Sequence, residues 1–202
     1  MKANNTAELV GDTPLVKIDG STHGLDGVRL WAKMELLNPY GSVKDRIGKT
    51  MYWDQRHGID ADTVIESSSG NTAKALTALT EDKHGFKTVT NRIKLDAVRD
   101  ILTVLGADID EVPGSNECPD PTNPDNPNEI IRDMVRANPE TYYHTNQYFT
   151  DDNPSAHEGT GEEILRDLPG VDVIVGDLGT AGTTKGIGRH IRQEQDDPAS
   201  IH

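Results

Sequence analysis

Residues 63–84, TVIESSSGNTAKALTALTEDKH, contain the change of pattern that decides the fold. The β-branched run at 63–65 predicts a short strand, which enters a polar loop at 66–70. Residues 71–84 then repeat apolar side chains at helical spacing. A strand that passes through a loop directly into a helix is the unit from which α/β proteins with parallel sheets are built.

The same alternation extends to both sides of this stretch. Further strands are predicted at 28–34, 86–90 and 171–175, and further helices after Ser42, at 94–105, at 129–137 and up to Ile191. The helix at 94–105 has an apolar stripe formed by Leu95, Val98, Leu102 and Leu105, with Gly106 as its stop. Thr160 and Glu163 match a capping box. The VDVIV run at 171–175 is almost continuously apolar, which is typical of a strand buried on both faces.

Charge and composition argue against several classes of function. The 202 residues include 20 Lys and Arg against 34 Asp and Glu, a formal charge of −14. A surface this acidic repels phosphate backbones, so no nucleic-acid partner is expected. The sequence has no apolar run of membrane-spanning length and no secretory leader, which predicts a cytoplasmic protein without a membrane partner. Asp outnumbers Glu along the whole chain, and this fits either a halophilic protein or an ordinary acidic surface.

Cysteine and histidine usage gives no metal site. The single cysteine, Cys118, excludes an intramolecular disulfide and a multi-cysteine zinc site. It lies in the proline-rich stretch 113–128, which predicts an exposed loop, and we interpret it as incidental. The histidines are scattered without metal-ligand spacing.

A first candidate for chemistry is NPYGSVKDR at 38–46, which places Lys44 in the first turn of a helix. The positive end of the helix dipole disfavours an ammonium group there, and burial would add to that effect. Such a lysine is suited to nucleophilic bonding to a carbonyl carbon. The alternative is a solvated surface lysine.

Two polar loops at strand-to-helix junctions are candidate anion sites. The loop at 67–72, SSSGNT, combines hydroxyl groups with the backbone N–H groups of a helix start. The loop at 176–186, GDLGTAGTTKG, has the same combination after the most apolar strand. Both patterns can hold a carboxylate or a phosphate, although a plain N-cap and a glycine-rich turn explain them as well. The second loop does not match the G-x-G-x-x-G spacing of NAD sites.

Taken together, the three segments offer an amine nucleophile, a carboxylate cradle and a monophosphate cradle. Pyridoxal 5′-phosphate acting on an amino acid uses all three. The sequence therefore predicts this cofactor and a small amino-acid substrate.

The chain resembles the cysteine synthase and cystathionine β-synthase family of fold-type II pyridoxal-phosphate enzymes. The matching segments, in order, are GDTPL at 11–15, NPYGSVKDR at 38–46, SSGNT at 68–72, LGA at 105–107, NQY with NP, H and TG-x-EI at 146–164, and GTAGT at 179–183. The lysine segment is the most specific of them.

This resemblance implies a fold and a domain organisation. The expected fold is α/β, with three-layer parallel sheets, flanking helices and the two domains of the tryptophan-synthase-β type. Residues 1–145 would form the N-terminal segment and a small mobile domain, and residues 146–202 the beginning of a large phosphate-binding domain. The large domain would be incomplete, so we expect a truncated form. The resemblance also implies a homodimer.

The resemblance further implies a role for each matching residue. Lys44 would be the catalytic residue, bonded to the cofactor and moving protons at the substrate's Cα, and Asn71 would bond the cofactor's 3′-oxygen. The cofactor phosphate would be held by Gly179, Thr180, Ala181, Gly182 and Thr183. The substrate carboxylate would be held by Ser68, Ser69, Gly70, Asn71, Thr72 and Gln147. Ala181 replaces a glycine of the family's phosphate loop, and its methyl group would crowd the phosphate if this position requires a positive φ.

The implied reaction is β-replacement on an activated serine: O-acetylserine or O-phosphoserine loses its leaving group and sulfide adds, giving cysteine. Departures from the family pattern at Glu158, Gly159 and the proline-rich loop leave other outcomes open. These are cystathionine synthesis, 2,3-diaminopropionate synthesis and serine or threonine dehydration. A third alternative is an inactive fragment or a non-catalytic binding subunit, which the early end of the chain motivates.

Overall fold

The computed structural model describes residues 2–80, 83–91, 93–113, 125–195 and 200–201. Its strands are β1 (Leu15–Lys17), β2 (Trp31–Lys33), β3 (Thr63–Glu66), β4 (Gly85–Thr90), β5 (Asp108–Glu111), β6 (Tyr142–His144), β7 (Val173–Ile174) and β8 (Ser200–Ile201). Its α-helices are α1 (Gly20–His23), α2 (Lys44–Gly48), α3 (Asn71–Thr80), α4 (Asp96–Val104), α5 (Pro127–Ala137), α6 (Asp152–Ser155), α7 (Glu158–Asp167) and α8 (Gly182–Glu194). Short 3-10 helices cover Thr6–Leu9, Glu35–Leu37 and Arg56–Gly58, and a π-helix covers Lys49–Trp53.

These elements group into two compact units. Unit 1 consists of Met1–Arg46 with Asn153–His202, and unit 2 of Ile47–Asp152. This grouping reflects compactness alone. The division of the chain into family domains at 1–145 and 146–202 stays a prediction.

Unit 2 is built on a four-stranded parallel sheet in the order β5-β4-β3-β6. Ile65 of β3, Val89 of β4 and Ile131 of α5 form a buried cluster, because the β-branched strand residues face the apolar side of that helix. Since β3 and β6 run parallel as neighbours, with Ile65 opposite His144, their carboxyl ends lie side by side. The segments that follow these two strands are therefore adjacent.

Unit 1 contains a short antiparallel pair, β1-β2, a short parallel pair, β7-β8, and the packed helices α7 and α8. Ile164, Ile187 and Ile191 form the buried cluster of these helices. Two glycines of α8 permit a close approach of other segments. A Cβ at Gly182 would overlap the Asn153 amide, and a Cβ at Gly186 would overlap the Pro154 carbonyl oxygen and lie 2.7 Å from the His157 Cβ.

Several predicted elements are confirmed with different bounds. The predicted strand at 28–34 is reduced to β2, and the predicted helix at 71–84 is described over Asn71–Thr80 as α3. The helix predicted up to Ile191 begins at Gly182, inside the predicted loop. Gly106 follows α4 with a φ of 91°, as expected for the predicted stop. Most of the proline-rich loop, including Cys118, lies outside the described residues.

The apolar stripe of α4 is only partly covered: Leu102 is fully buried, whereas Leu95 is 65% exposed, because α4 lies beside the edge strand β5 and the described residues cover little of its face. Two expectations, one about burial and one about capping, were wrong. The run 171–175 forms only the two-residue strand β7, and Val175 is 79% exposed. Among the described residues, β7 pairs with β8 alone, and only one of its two side chains is covered: Ile174 packs against the Ile164, Ile187 and Ile191 cluster, whereas Val173 is 53% exposed.

The capping box was also wrong. Thr160 lies inside α7, which begins at Glu158. The carboxylate of Glu163 does not reach back to the start of the helix, because it is engaged by Arg46 and Lys33.

Candidate functional site

Lys44 begins α2 and is fixed by the residues on either side of it. The Ser42 hydroxyl accepts the Lys44 backbone N–H at 3.1 Å, and the buried Asp45 carboxylate accepts the Tyr40 N–H at 2.6 Å. These bonds close the loop at 38–45 in the manner of an N-cap. The Lys44 side chain is half-buried, and the described part of the chain offers its amine no hydrogen bond or ion pair. In an acidic protein, a sheltered amine without a carboxylate partner is available for chemistry.

A cluster of four charges holds the segment directly after Lys44. Arg46 donates to both carboxylate oxygens of Glu163 at 2.8 Å, and to Glu35 through Nε at 2.6 Å and Nη2 at 2.8 Å. Lys33 pairs with Glu163 at 2.6 Å. We call these residues, Lys33, Glu35, Arg46 and Glu163, the charge cluster. Its two cations and two anions balance, and bidentate pairing fixes the guanidinium plane.

Neutral donors complete the charge cluster. The Asp12 backbone N–H donates to Glu163 at 2.9 Å, and the Thr13 hydroxyl donates to Glu35 at 2.6 Å. Burial opposes ionisation of Glu163, but hydrogen bonds from Arg46 and Lys33 outweigh it and lower the pKa of Glu163 to about 2. The pKa of Glu35 is likewise lowered, since bonds from Arg46 outweigh burial. Both carboxylates are therefore ionised at neutral pH.

The glycine-rich loop leads into α8 through Ala181, whose φ is 58°. An alanine in this left-handed region is strained. The N–H groups of the first turn, at 182–184, have no backbone acceptor among the described residues. The Thr180 hydroxyl accepts a hydrogen bond from the Asn153 amide at 2.8 Å, which leaves its proton free to be donated.

His157 connects this loop to the neighbourhood of the lysine. Its ring is fully buried, with Nε2 3.2 Å from the Thr183 hydroxyl and Nδ1 3.3 Å from the Thr160 hydroxyl. Burial and the positive charge of Arg46 lower the pKa of His157 to about 4; Glu35 opposes this, and Lys44 adds to it. The ring is therefore neutral at pH 7, and it holds Thr183 in place through a neutral hydrogen bond.

The serine-rich loop of unit 2 is closed by internal bonds. The Ser68 hydroxyl accepts the Ala73 N–H of the first turn of α3 at 3.1 Å. The Thr72 hydroxyl donates to Gln147 Oε1 at 3.0 Å, and Gln147 Nε2 donates to the Ser67 carbonyl at 2.9 Å. Gln147 thus braces this loop. The first-turn N–H groups of Asn71 and Thr72 have no acceptor among the described residues, so they remain available for an anion.

The predicted site residues therefore fall into two groups. Unit 1 contains Lys44, Gly179, Thr180, Ala181, Gly182 and Thr183, and unit 2 contains Ser68, Ser69, Gly70, Asn71, Thr72 and Gln147. The residues of unit 1 fit a pyridoxal phosphate, because an unengaged amine and an anion cradle of N–H and hydroxyl groups occur in the same unit. The roles of individual residues stay predictions.

Sequence reasoning missed two positions at these loops. Glu66, at the end of β3, is completely buried behind the serine-rich loop, and Glu163 was interpreted as part of a cap. The available signal was a glutamate next to an apolar run, because such a position indicates a buried side chain. A buried carboxylate needs several hydrogen-bond donors around it, so each of these glutamates predicts a network.

No helix among the described residues has both the length and the apolar character needed to cross a membrane.

A family model described as "Pyridoxal-phosphate dependent enzyme" matches residues 6–201. Cystathionine beta-synthase of Dictyostelium discoideum is 36% identical over 200 residues, which cover 94% of this chain and 38% of the relative. Cysteine synthase A of Escherichia coli K12 is 35% identical over 191 residues, covering 91% of this chain and 55% of the relative. The chain therefore spans about half or less of the length of these relatives.

The solved structures agree with the predicted fold. The crystal structure of a cysteine synthase from Entamoeba histolytica has a TM-score of 0.84 and 28% identity, and it matches 98% of this chain and 59% of its own. The expected α/β fold with a parallel sheet and flanking helices, of the fold-type II kind, is confirmed.

Proposed function

Because this chain belongs to the family of pyridoxal-phosphate dependent enzymes, we propose that it acts in β-replacement on an activated L-serine, with sulfide as the nucleophile and cysteine as the product. The observation that carries the proposal is the half-buried Lys44 amine without a partner among the described residues, in the same unit as a phosphate-type cradle. The E. coli relative, which bears the name cysteine synthase A, supports the choice of reaction.

The proposal gives the residues of unit 1 two tasks. Lys44 bonds to the cofactor and moves the proton at the substrate's Cα. The N–H groups at 179–183 and the hydroxyls of Thr180 and Thr183 hold the phosphate, with the Thr183 hydroxyl oriented by neutral His157. When bound, the cofactor supplies an electron sink for negative charge at Cα.

The proposal gives the residues of unit 2 the task of binding the substrate. The N–H groups of Asn71 and Thr72 and the Ser69 hydroxyl receive the amino-acid carboxylate, and Asn71 bonds the cofactor's 3′-oxygen. The side chains of Thr72 and Gln147 are already hydrogen-bonded within the loop. We therefore propose that, besides contacting the substrate, they hold the serine-rich loop in shape. A carboxylate held in one orientation selects which bond to Cα is broken.

The test is an absorbance titration of the 202-residue chain with pyridoxal phosphate. We expect a visible band that is absent in Lys44→Ala and retained in Lys49→Ala, a matched control whose amine is paired with Asp54 at 3.0 Å. A band that survives in Lys44→Ala would overturn the role of Lys44. A colourless wild-type chain would favour the inactive-fragment alternative.

Cystathionine synthesis is the second candidate, since the D. discoideum relative at 36% identity bears the name cystathionine beta-synthase. Product analysis with sulfide and with homocysteine, in parallel with O-acetylserine and O-phosphoserine, separates the two reactions. The homodimer, the cytoplasmic location and the halophilic habitat stay predictions from the sequence.

A further inference from the structure

Glu66 is a completely buried carboxylate at the carboxyl end of β3. Its Oε1 accepts the Ser67 N–H at 2.8 Å, and its Oε2 accepts the Thr145 hydroxyl at 2.7 Å and the Gln147 N–H at 3.0 Å. These donors come from the two segments that follow the neighbouring strands β3 and β6. One carboxylate therefore ties both segments together.

The donor set explains why a carboxylate occupies this position. Each of its two oxygens accepts from a backbone N–H, and a backbone N–H cannot reverse its direction as a hydroxyl can. A glutamine has one carbonyl oxygen and one NH2 group, so it would leave either the Ser67 or the Gln147 N–H facing another donor. An unsatisfied buried N–H destabilises the fold, so both terminal oxygen positions of this side chain must be hydrogen-bond acceptors.

The same two segments carry the proposed carboxylate-binding groups. Ser67 is the first residue of the serine-rich loop, and the Gln147 side chain bonds to the Ser67 carbonyl and the Thr72 hydroxyl. Glu66, Ser67, Gln147 and Thr72 thus form a continuous chain of hydrogen bonds that ends at the start of α3. His144 Nε2 lies 3.6 Å from Glu66 Oε1, beyond hydrogen-bond distance, so the described bonds to Glu66 come from neutral donors.

We propose that Glu66 is a positioning residue for substrate recognition: it holds the serine-rich loop and Gln147 in the geometry that receives an amino-acid carboxylate. This inference rests on the proposed function. Glu66 does not touch the substrate, and it acts by preorganising the N–H groups that do.

The experiment compares two ligands that differ only in the carboxylate, L-alanine and ethylamine. Neither has a leaving group, so binding to the cofactor-loaded chain is followed at equilibrium by the change in cofactor absorbance. We expect Glu66→Gln to bind L-alanine about tenfold more weakly while its affinity for ethylamine is unchanged. Glu140→Gln, at an exposed glutamate of the same unit, is the control and should match the wild type.

The ratio of the two affinities separates positioning from stability. If Glu66→Gln lowers the melting temperature and leaves the ratio unchanged, Glu66 is only structural and the inference is overturned. If the wild-type chain itself does not prefer L-alanine, the proposed function fails first. Should Glu66→Gln not fold, Thr145→Val removes one donor to Oε2 and must lower the ratio in the same direction; an unchanged ratio there overturns the inference.

Discussion

The lysine segment of unit 1 and the serine-rich loop of unit 2 are held by different kinds of interaction. The lysine segment is fixed by the charge cluster, in which Arg46 bonds bidentately to two carboxylates. The serine-rich loop is fixed by one buried carboxylate, Glu66, and neutral donors. A charge cluster fixes a segment firmly but fails when one charge is removed. A set of neutral bonds loses less at each deletion, because each bond contributes about 1 kcal/mol.

Removing the central cation should produce the largest effect. Arg46→Leu leaves Glu35 and Glu163 partly buried with Lys33 as their remaining cation in the charge cluster, because leucine fills space but donates nothing. We expect a loss of about 3–5 kcal/mol in the free energy of unfolding. Urea denaturation followed by circular dichroism measures it.

The matched control for this variant is Arg136→Leu. Its side chain is 72% exposed and pairs with Asp133 on the surface of α5. An exposed pair of this kind is worth less than about 1 kcal/mol. Equal losses in the two variants would mean that the charge cluster stabilises the chain no more than an exposed ion pair does.

The second effect concerns the glycine-rich loop, which unit 1 holds through the neutral His157 and not through charges. Because the folded pKa of about 4 lies below the ordinary 6.5, the unfolded chain binds a proton between these values and the folded chain does not. The contribution of His157 to the free energy of unfolding is thus fully present above pH 6.5. It decreases as the pH falls towards 4, by up to about 3 kcal/mol.

Replacing the ring isolates this contribution. His157→Gln should have a flatter dependence of unfolding free energy on pH than the wild type between pH 6.5 and 4. Chemical denaturation at a series of pH values gives the difference, in which the titration of other groups cancels. Parallel curves would mean that folding does not lower the pKa of His157.

A smaller effect is expected from the neutral network of unit 2. Glu66→Gln should lose about 1–3 kcal/mol, because one buried N–H is left without an acceptor while the other bonds survive. Urea denaturation beside Arg46→Leu tests the ranking. A loss above that of Arg46→Leu would reverse the comparison.

The smallest effect is a gain. Ala181→Gly removes the strain of an alanine at positive φ, which is partly offset by the greater freedom of glycine in the unfolded chain. We expect about 1 kcal/mol of added stability. Thermal unfolding is sensitive enough to detect it, and Ala107→Gly, at an alanine whose φ is not positive, should not be stabilised.

Local sequence pattern was sufficient to predict where the loops lie, but it did not predict the buried side chains that hold these loops in place. The stop of the helix at Gly106 follows from a few neighbouring residues. The pairing of Arg46 with Glu163 joins positions 117 residues apart, and no local spacing encodes it. The stripe of α4 gave the apolar side of the helix correctly, but periodicity cannot tell whether another element covers that side.

The strand β5 shows a different limit. Its sequence, DIDE, is too acidic for strand propensity to detect. In the assembled sheet it pairs in parallel with β4, and Lys87 of β4 lies 2.6 Å from the Asp108 carboxylate and 3.7 Å from that of Asp110. The strand is therefore stabilised by a charge on its partner, which only the assembled sheet supplies.

The close approaches at Gly182 and Gly186 have a consequence for the gene. Every other amino acid has a Cβ, and at both positions that atom would overlap a neighbour from 153–154. No nucleotide change that replaces glycine at either position can therefore be silent in its structural effect. A lineage could leave glycine there only together with a compensating change or backbone shift around residues 153 and 154, so amino-acid replacements should be accepted far more rarely at these two positions than on the exposed face of α4.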